Sequence, residues 1–292
     1  MNNITNSITN NIIEARGLCK SYDTFKLNNV SFDLPRGFIM GFIGPNGAGK
    51  TTTIKLILNV IKSDSGSVKL FGRDSVTVQN EDIGVVMDTP LYVDEWTVND
   101  VEKAISPFYQ QWDGRKFADL LKQFGLDRKK KIKDLSRGMK VKLQIASAFS
   151  HNAVLLILDE PTSGLDPVAR DEICDLLREF ISDENKSILF STHITSDLEK
   201  IADHITFILN GNIVFTGTKD ALLEKYVRVA GGLADVDNGW KKYVIGYREH
   251  GTGFEGMVEI SNIKELPEGV LTEGINLEEI IIFMNKGAQL HE

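Results

Sequence analysis

A glycine-rich segment between an apolar run and a helical pattern constrains the fold of this chain most. The segment follows the apolar run 38–43, and apolar residues recur at helical spacing through 51–61, which predicts a strand, a loop and a helix. Lysine and threonine in register after the glycines are typical of a phosphate-binding loop. The predicted nucleotide-binding residues are Gly44, Pro45, Asn46, Gly47, Ala48, Gly49, Lys50, Thr51 and Thr52.

Each residue type in this loop has a chemical reason to be there. Glycines let backbone N–H groups curl around a phosphate, and the N-terminus of the following helix adds a partial positive charge. We expect Lys50 to reach the outer phosphates and Thr51 to offer its hydroxyl to Mg²⁺. The alternative, a glycine turn that only caps a helix, does not account for the lysine and threonine in register.

Composition excludes several classes of protein. Hydrophobic residues are 42% and charged residues 25% of the 292, which is ordinary globular usage. A net charge of -8 argues against general attraction to nucleic acid, so no nucleic-acid partner is expected. Two cysteines are too few for a disulfide framework, and no apolar run approaches the roughly 20 residues of a membrane span. Residues 1–11 have neither the basic nor the apolar region of a signal peptide and are predicted to be a flexible tail.

The remaining hydrophobic pattern predicts an α/β domain over 12–228. Strands alternating with helices predict a mainly parallel sheet covered on both faces. Buried strands are expected at 154–158, 187–190 and 205–209, helices at 168–181 and 196–202, and a strand pair at 12–20 and 29–34.

Two further regions interrupt or follow this pattern. Residues 94–150 are predicted to be a mostly helical insertion, and the basic run 128–133 within it is interpreted as a solvated helix end or turn rather than a nucleic-acid site. Residues 229–292 are predicted to form a small α+β domain, with strand-like pieces at 243–247 and 257–260 and a final helix over 277–285.

Two adjacent carboxylates end one of the apolar strands. Asp159 and Glu160 follow residues 155–158, at the carboxyl end of a strand, where parallel sheets bind ligands. We expect Asp159 to hold the Mg²⁺ shell and Glu160, on the other side of the strand end, to act on an attacking water. An acidic strand end that merely caps a loop is the alternative, which the phosphate loop upstream disfavours.

Several further motifs carry a family resemblance. Residues 135–139 read Leu-Ser-Arg-Gly-Met, residues 163–166 read Ser-Gly-Leu-Asp, and His193 follows strand 187–190. In this order, with the phosphate loop and the Asp159-Glu160 pair, they resemble the signature motif, D-loop and switch histidine of ABC-type ATPases, the nucleotide-binding subunits of ATP-binding-cassette transporters. The resemblance covers about residues 12–225. It implies a mixed sheet with a RecA-like core and a helical subdomain at about 94–150.

The resemblance also implies how the site works. In this family two cassettes pack head to tail, and ATP lies between the phosphate loop of one and the signature motif of the other. The residues that the resemblance assigns to the partner cassette's nucleotide are Ser136, Arg137, Gly138 and Met139, with Asp166 in the D-loop. Tyr22 matches the aromatic that stacks on adenine, and His193 matches the residue that hydrogen-bonds the γ-phosphate and helps to place the water beside Glu160.

The chain departs from the family pattern at two motifs. The Q-loop position, usually glutamine, is Asp88, a shorter and charged side chain that accepts from metal-bound or attacking water but donates no N–H. The signature has Arg137 in place of glycine and Met139 in place of glutamine. These features, the sequence Gly-Leu-Asp-Pro at 164–167 and the terminal segment 278–287 with its apolar residues 280–283 resemble ATPases that serve ABC-2-type exporters of Gram-positive bacteria, including exporters of antimicrobial or cytolytic peptides.

This subgroup implies partners and a location. We expect a separate multi-span transmembrane subunit, a second cassette, identical or different, and a position at the cytoplasmic face of the cell membrane. The segment 89–112 is predicted to meet the transmembrane partner, and its candidate anchors are Leu91, Tyr92, Trp96 and Phe108. For Trp96 and Phe108 the alternative is that they form the core of the helical insertion.

Two other functions remain open from the sequence. A soluble ABC-type ATPase acting on ribosomes or DNA is one, although such relatives usually carry two cassettes, long coiled-coil arms or zinc-binding cysteines. A regulatory subunit whose region after Tyr226 binds a ligand or a second cassette is another, but residues 231–292 lack a cluster of metal-binding side chains. We expect this region to steady the dimer.

Overall fold

The computed structural model describes residues 10–78, 80–89, 92–232 and 239–289. They form two compact units, of which the first ends at Thr216 and the second begins at Gly217. Most of the predicted tail lies outside the described residues, and Asn11 is the first residue of the first strand. Within the described ranges no helix is both long enough and apolar enough to cross a membrane.

The main sheet of the first unit is largely parallel, as predicted. Its strands are β3 (Ile39–Ile43), β6 (Ile83–Val86), β7 (Leu155–Asp159), β8 (Ser187–Thr192), β9 (His204–Leu209) and β10 (Asn212–Thr218). The strand order is β10-β9-β3-β8-β7-β6, and β3 pairs in parallel with both β8 and β9. Every residue of β3, β7 and β8 is buried, which explains why the middle of each strand is apolar. The hydrophobic pattern did not predict strand β6.

A second, antiparallel sheet contains the predicted strand pair. It comprises β1 (Asn11–Ser21), β2 (Lys26–Pro35), β4 (Ser65–Leu70) and β5 (Arg73–Asp74), in the order β2-β1-β4-β5. Its inner face packs on the main sheet and on the first helix, so Ile13 and Leu27 share one core with Phe42 and Ile54. This shared core fixes the turn between β1 and β2 near the glycine-rich loop.

The main sheet is packed against helices that include α1 (Lys50–Ile57), α5 (Pro167–Ile181) and α6 (Thr195–Ile201). The predicted continuation of α1 to Ile61 is wrong. The chain turns back after Leu58 because Asn59 adopts a left-handed φ of 53°, and the N–H groups of Asn59 and Val60 bond to carbonyls of the last helical turn. The predicted helices at 168–181 and 196–202 are confirmed within one residue at either end.

The insertion is helical, as predicted, with α2 (Val98–Ile105), α3 (Gly114–Gln123) and α4 (Arg137–Ser150). In the basic run before α4, Lys131 and Lys133 each lie 2.8 Å from a carboxylate oxygen of Glu95. Phe108 is 77% exposed, so it is not part of the insertion's core, whereas Trp96 is half-buried. Leu91 lies outside the described residues.

The second unit is a small α+β fold with an antiparallel sheet. Its elements are α7 (Lys219–Leu223), β11 (Tyr226–Gly231), β12 (Ile245–His250), β13 (Gly253–Glu259), β14 (Leu271–Glu273) and α8 (Leu277–Gln289). The strand order is β12-β13-β11-β14. Helix α8 lies close against β12: a Cβ at Gly246 would lie 2.4 Å from the carbonyl oxygen of Phe283. The predicted terminal helix is confirmed and extends to Gln289.

Candidate functional site

The glycine-rich loop joins the end of β3 to the start of α1. Gly47 and Gly49 have φ values of 82° and 114°, which L side chains rarely adopt. A Cβ at Gly44 would lie 2.2 Å from the carbonyl oxygen of Ile208, so the loop also passes too close to β9 for any side chain at that position. The sequence pattern of glycines therefore corresponds to definite backbone requirements.

Lys50, the first residue of α1, is directed back over this loop. Its side chain is buried, and Nζ donates hydrogen bonds of 2.7 Å to Gly44 O and 3.2 Å to Pro45 O. The ammonium group also lies 3.1 Å from Oε1 of Glu160. A buried ammonium group surrounded by loop oxygens and one carboxylate is positioned to bind anionic oxygens at the mouth of the loop.

Asp159 lies where three elements meet. Thr51 Oγ1, in the first turn of α1, donates a 2.7 Å hydrogen bond to Asp159 Oδ2, and Ser191 Oγ of β8 donates one of 2.9 Å to Oδ1. Asp159 is 1% exposed, so these two hydroxyl groups compensate for the desolvation of its carboxylate. The hydroxyl and the carboxylate that the sequence predicted to act together are in contact.

Glu160 points to the opposite side of the same strand end. Its φ of 50° is uncommon for a residue other than glycine, asparagine or aspartate, and such conformations are frequent at active sites. Its Oε2 lies 2.8 Å from Nδ1 of His193, and its Oε1 is the atom close to Lys50, although that contact lacks hydrogen-bond geometry. The backbone turn thus brings the carboxylate between a histidine and a lysine.

Asp88 follows β6 and contacts the signature segment of the same chain. Arg137 Nη2 donates to Asp88 Oδ1, although the two residues are 49 positions apart. One residue earlier, the backbone of Met87 exchanges two hydrogen bonds with the side chain of Gln144, of 3.0 and 3.2 Å. Helix α4 is therefore joined to the segment after β6 at two successive residues. Sequence reasoning singled out neither Gln144 nor the pairing of Asp88 with Arg137.

Ser136 and Asp166 cap helices in this chain. Ser136 Oγ accepts a 3.3 Å hydrogen bond from Met139 N at the start of α4, and Asp166 Oδ1 accepts from Val168 N and Ala169 N at the start of α5. The two helix starts face each other, since a Cβ at Gly138 would lie 3.5 Å from a methyl group of Leu165. Capping fixes the orientation of both motifs.

One cavity of about 540 Å³ brings most of the predicted residues together. Among the described residues, its lining consists of Phe25, Asn46, Gly47, Gly49, Lys50, Thr51, Thr52, Asp88, Arg137, Glu160, Ser163 and His193. Asp159 lies behind Thr51 and lines an adjacent apolar cavity instead. Tyr22, Ser136, Gly138, Met139 and Asp166 lie outside the lining of the first cavity.

Phe25 is a residue that sequence reasoning missed. It lies on the turn between β1 and β2, and Tyr22, on the same turn, donates its backbone N–H to Phe25 O at 2.8 Å. A Cβ at Gly49 would lie 2.9 Å from Phe25 Cζ, so the ring is against the phosphate loop, whereas Tyr22 is 48% exposed. The only sequence signal was a second aromatic three residues after Tyr22.

The chain is similar to known proteins over most of its length. The family model described as ABC transporter matches residues 27–163. The lantibiotic transport ATP-binding protein SrtF of Streptococcus pyogenes is 35% identical over 206 residues, covering 70% of this chain and 89% of that protein. The bacitracin transport ATP-binding protein BcrA of Bacillus licheniformis is 34% identical over 212 residues, covering 70% of this chain and 68% of that protein.

A solved structure described as the ATP-binding subunit of an ABC transporter is also similar. It has a TM-score of 0.66 and 29% identity, and the match covers 72% of this chain and 91% of that one. The two relatives and this structure each match about 70% of the chain. The chain therefore belongs to the ATP-binding subunits of ABC transporters, ATPases that hydrolyse ATP to power transport.

Proposed function

We propose that the cavity binds ATP with Mg²⁺ and hydrolyses it to drive export of amphipathic peptides through a separate transmembrane subunit. The observation that carries the proposal is the convergence, on one cavity, of the phosphate loop, of Thr51 with Asp159 bonded behind it, and of the Glu160–His193 pair. Each group supplies a different part of phosphoryl-transfer chemistry.

The phosphate loop binds the phosphates. Backbone N–H groups of residues 46–51 and the N-terminus of α1 present positive partial charge to them, and Lys50 contributes a full charge. The buried position of Lys50 strengthens this attraction because water screens it little. The ammonium group exchanges its carbonyl contacts in the loop for phosphate oxygens.

The residues present fit Mg²⁺. Within the described residues no group of three acidic, histidine or cysteine side chains could hold a metal alone. Mg²⁺ beside nucleotides typically takes one or two protein ligands and completes its shell with phosphate oxygens and water. Thr51 and Asp159, 2.7 Å apart, would hold it, with Asp88 nearby at the adjoining cavity. When bound, the ion neutralises charge that develops on the phosphates.

Glu160 and His193 act on the attacking water. Glu160 accepts the proton of a water that attacks the terminal phosphorus atom, while His193 orients the carboxylate through their 2.8 Å contact and hydrogen-bonds the γ-phosphate. The left-handed backbone at Glu160 separates this carboxylate from Asp159, so that one serves the metal and the other the proton. Tyr22, with Phe25 behind it at the loop, provides the aromatic surface for adenine.

Two cassettes complete the site. Ser136 and Gly138, at the N-terminus of α4, bind the γ-phosphate of a nucleotide held by the partner cassette, together with Arg137, Met139 and the D-loop residue Asp166. The dimer is then stable only while the γ-phosphate is present, so that hydrolysis releases it.

An apolar cavity beside the site is the proposed contact with the transmembrane subunit. Its volume is about 610 Å³, and its lining includes Val60, Met87 and Tyr109. Phe108, 77% exposed and next to Tyr109, is the candidate anchor that the structure leaves most accessible. Tyr92 is half-buried and its hydroxyl lies 3.4 Å from Ser147 Oγ, so it serves the insertion itself.

A pull-down from solubilised native membranes tests this function. Bait carrying Glu160→Gln, loaded with ATP and Mg²⁺, is expected to retain a multi-span membrane protein, and the same bait with Phe108→Ala should retain less. Recovery of ribosomal or DNA-associated proteins in its place would contradict transport and leave the ATPase chemistry intact.

The amphipathic peptide cargo is inferred from the relatives described as transporting a lantibiotic and bacitracin. Reconstituted export of such a peptide is its test.

A further inference from the structure

Two of the three residues that depart from the family pattern contact each other. Asp88 replaces the usual glutamine and Arg137 replaces a glycine, and in this chain the guanidinium group donates to the carboxylate. Their side chains are 47% and 45% exposed, so the ion pair is accessible to water and to an incoming anion. Both line the cavity that contains Lys50 and Glu160.

The same helix holds the same segment at a second, buried point. Gln144 is seven residues after Arg137, two helical turns along one face of α4, and it clamps the backbone of Met87. Gln144 is 6% exposed. The inner contact therefore keeps α4 on the segment after β6, while the outer, exposed ion pair can open without disrupting it.

The stem of Arg137 is also guided toward Asp88. A Cβ at Gly164 would lie 3.5 Å from Arg137 Cδ and 3.6 Å from Nε, so the arginine runs along the D-loop glycine. Gly164 has a φ of 70°, which favours glycine, and a Cβ there would be in van der Waals contact with the arginine stem. Arg137 thus touches the D-loop and the Q-loop of its own chain at once.

We propose that Arg137 is a positioning residue that neutralises and holds Asp88 until the signature segment binds the partner cassette's γ-phosphate. The inference rests on the proposed function. A phosphate beside Ser136 and Gly138 competes with Asp88 for the same guanidinium group, since phosphate is the more highly charged partner. Once released, the Asp88 carboxylate is free to accept hydrogen bonds from water in its own cavity. Occupation of the signature motif is thereby communicated to the nucleotide site of the same chain.

A double-mutant cycle on ATP-dependent dimerisation tests this. In the Glu160→Gln background, the ATP concentration for half-maximal dimer is measured by light scattering for the parent, Asp88→Asn, Arg137→Gln and the double variant. We expect Asp88→Asn to lower that concentration, because Arg137 then no longer has to leave a carboxylate before it contacts the partner cassette's γ-phosphate. Arg137→Gln changes the half-maximal ATP concentration by some factor, which is measured once with Asp88 present and once with Asp88→Asn. We expect these two factors to differ by about twofold to fivefold, the range typical of exposed ion pairs.

Two controls separate positioning from a structural effect. Arg137→Lys keeps the charge and should keep the coupling to Asp88. In the parent, the coupling between Arg137 and Asp88 should decrease as the salt concentration rises, because salt screens the pair. Lys142→Gln removes a cation of the same helix whose partner, Glu172, lies outside the cavity, and its effect should be identical with and without Asp88→Asn.

The outcomes distinguish this inference from the proposed function. A chain that binds ATP and dimerises, but in which the effects of the two substitutions simply multiply, overturns the role of Arg137 alone. If the Glu160→Gln chain binds ATP but stays monomeric, both the proposed ATP-dependent dimer and this inference are contradicted. Loss of ATP binding in the parent contradicts the proposed function itself.

Discussion

The ammonium nitrogen of Lys50 lies 3.1 Å from Oε1 of Glu160, so the phosphate loop and the end of β7 meet through opposite charges. Both side chains are largely buried, at 6% and 13% exposure. This contact joins the group proposed to bind the phosphates to the group proposed to activate water. Substitutions at either end should therefore separate binding from chemistry.

Replacing Lys50 tests the phosphate-binding assignment. Lys50→Ala removes a buried cation, and truncation of one partner of a buried charge pair typically costs about 2 kcal/mol or more, which predicts about 30-fold weaker ATP binding or worse. Titration calorimetry or a fluorescent ATP analogue measures the dissociation constant. Lys55→Ala, in the last turn of the same helix, is the control and should bind as the parent does. Equal affinity of Lys50→Ala and the parent would contradict the assignment.

Replacing Glu160 tests the proton acceptor. Glu160→Gln keeps the size of the side chain but accepts no proton from water, so turnover should fall by about 10²-fold to 10⁴-fold while ATP binding is retained. Phosphate release measures turnover, and size-exclusion chromatography with ATP should show an accumulated dimer. Glu172→Gln, an exposed carboxylate paired with Lys142, is the control. Normal turnover in Glu160→Gln would exclude this residue as the base.

The turn between β1 and β2 is expected to bind adenine. Base stacking on an aromatic ring is worth about 1–3 kcal/mol, so Tyr22→Ala should weaken ATP binding by about fivefold or more. Phe25→Leu keeps an apolar side chain against the phosphate loop and should have the smaller effect. Affinities for ATP and CTP are compared, since a purine stacks over a larger area. A larger loss in Phe25→Leu than in Tyr22→Ala would transfer the stacking role to Phe25.

His151 at the end of α4 predicts a pH dependence of stability. Burial lowers the pKa of its imidazole below 6.5, and the ring stacks on Tyr109 with centroids 4.0 Å apart. The folded state therefore favours neutral histidine, and the unfolded state binds more protons as the pH falls below about 6.5. The contribution to stability is present above that pH and is lost below it.

The matching variant is His151→Phe, which keeps an aromatic ring against Tyr109 and cannot titrate. Between about pH 7 and pH 5, thermal unfolding should show a shallower loss of stability in the variant than in the parent. The variant also loses the 2.9 Å contact of Nδ1 with Glu81 O, so its stability at about pH 8, where the histidine of both states is neutral, sets the baseline for comparison. Parallel pH curves for the two proteins would contradict this role of His151.

Local patterns predicted the elements that have unbroken physical signals. Strands β3, β7 and β8 are buried on both faces, and for this reason the middle of each strand is apolar and polar residues occur only at the strand ends. The phosphate loop was also predicted from the sequence. Its glycines stand at positions where a side chain would clash or where the backbone is left-handed, so the fold requires glycine there and the spacing is distinctive. The end of α1 was missed because apolar residues continue at helical spacing past Leu58, although the backbone turns there.

The sequence by itself determined which chemical groups are present and their order along the chain. It also determined the α/β class, because the periods of apolar residues report which faces are buried. Only the tertiary structure decided that Asp88 and Arg137 form a pair, that Gln144 holds Met87, and that Phe25 lies against the phosphate loop. These contacts join residues distant in sequence, and their geometry depends on how sheet and helices pack, which no local period records.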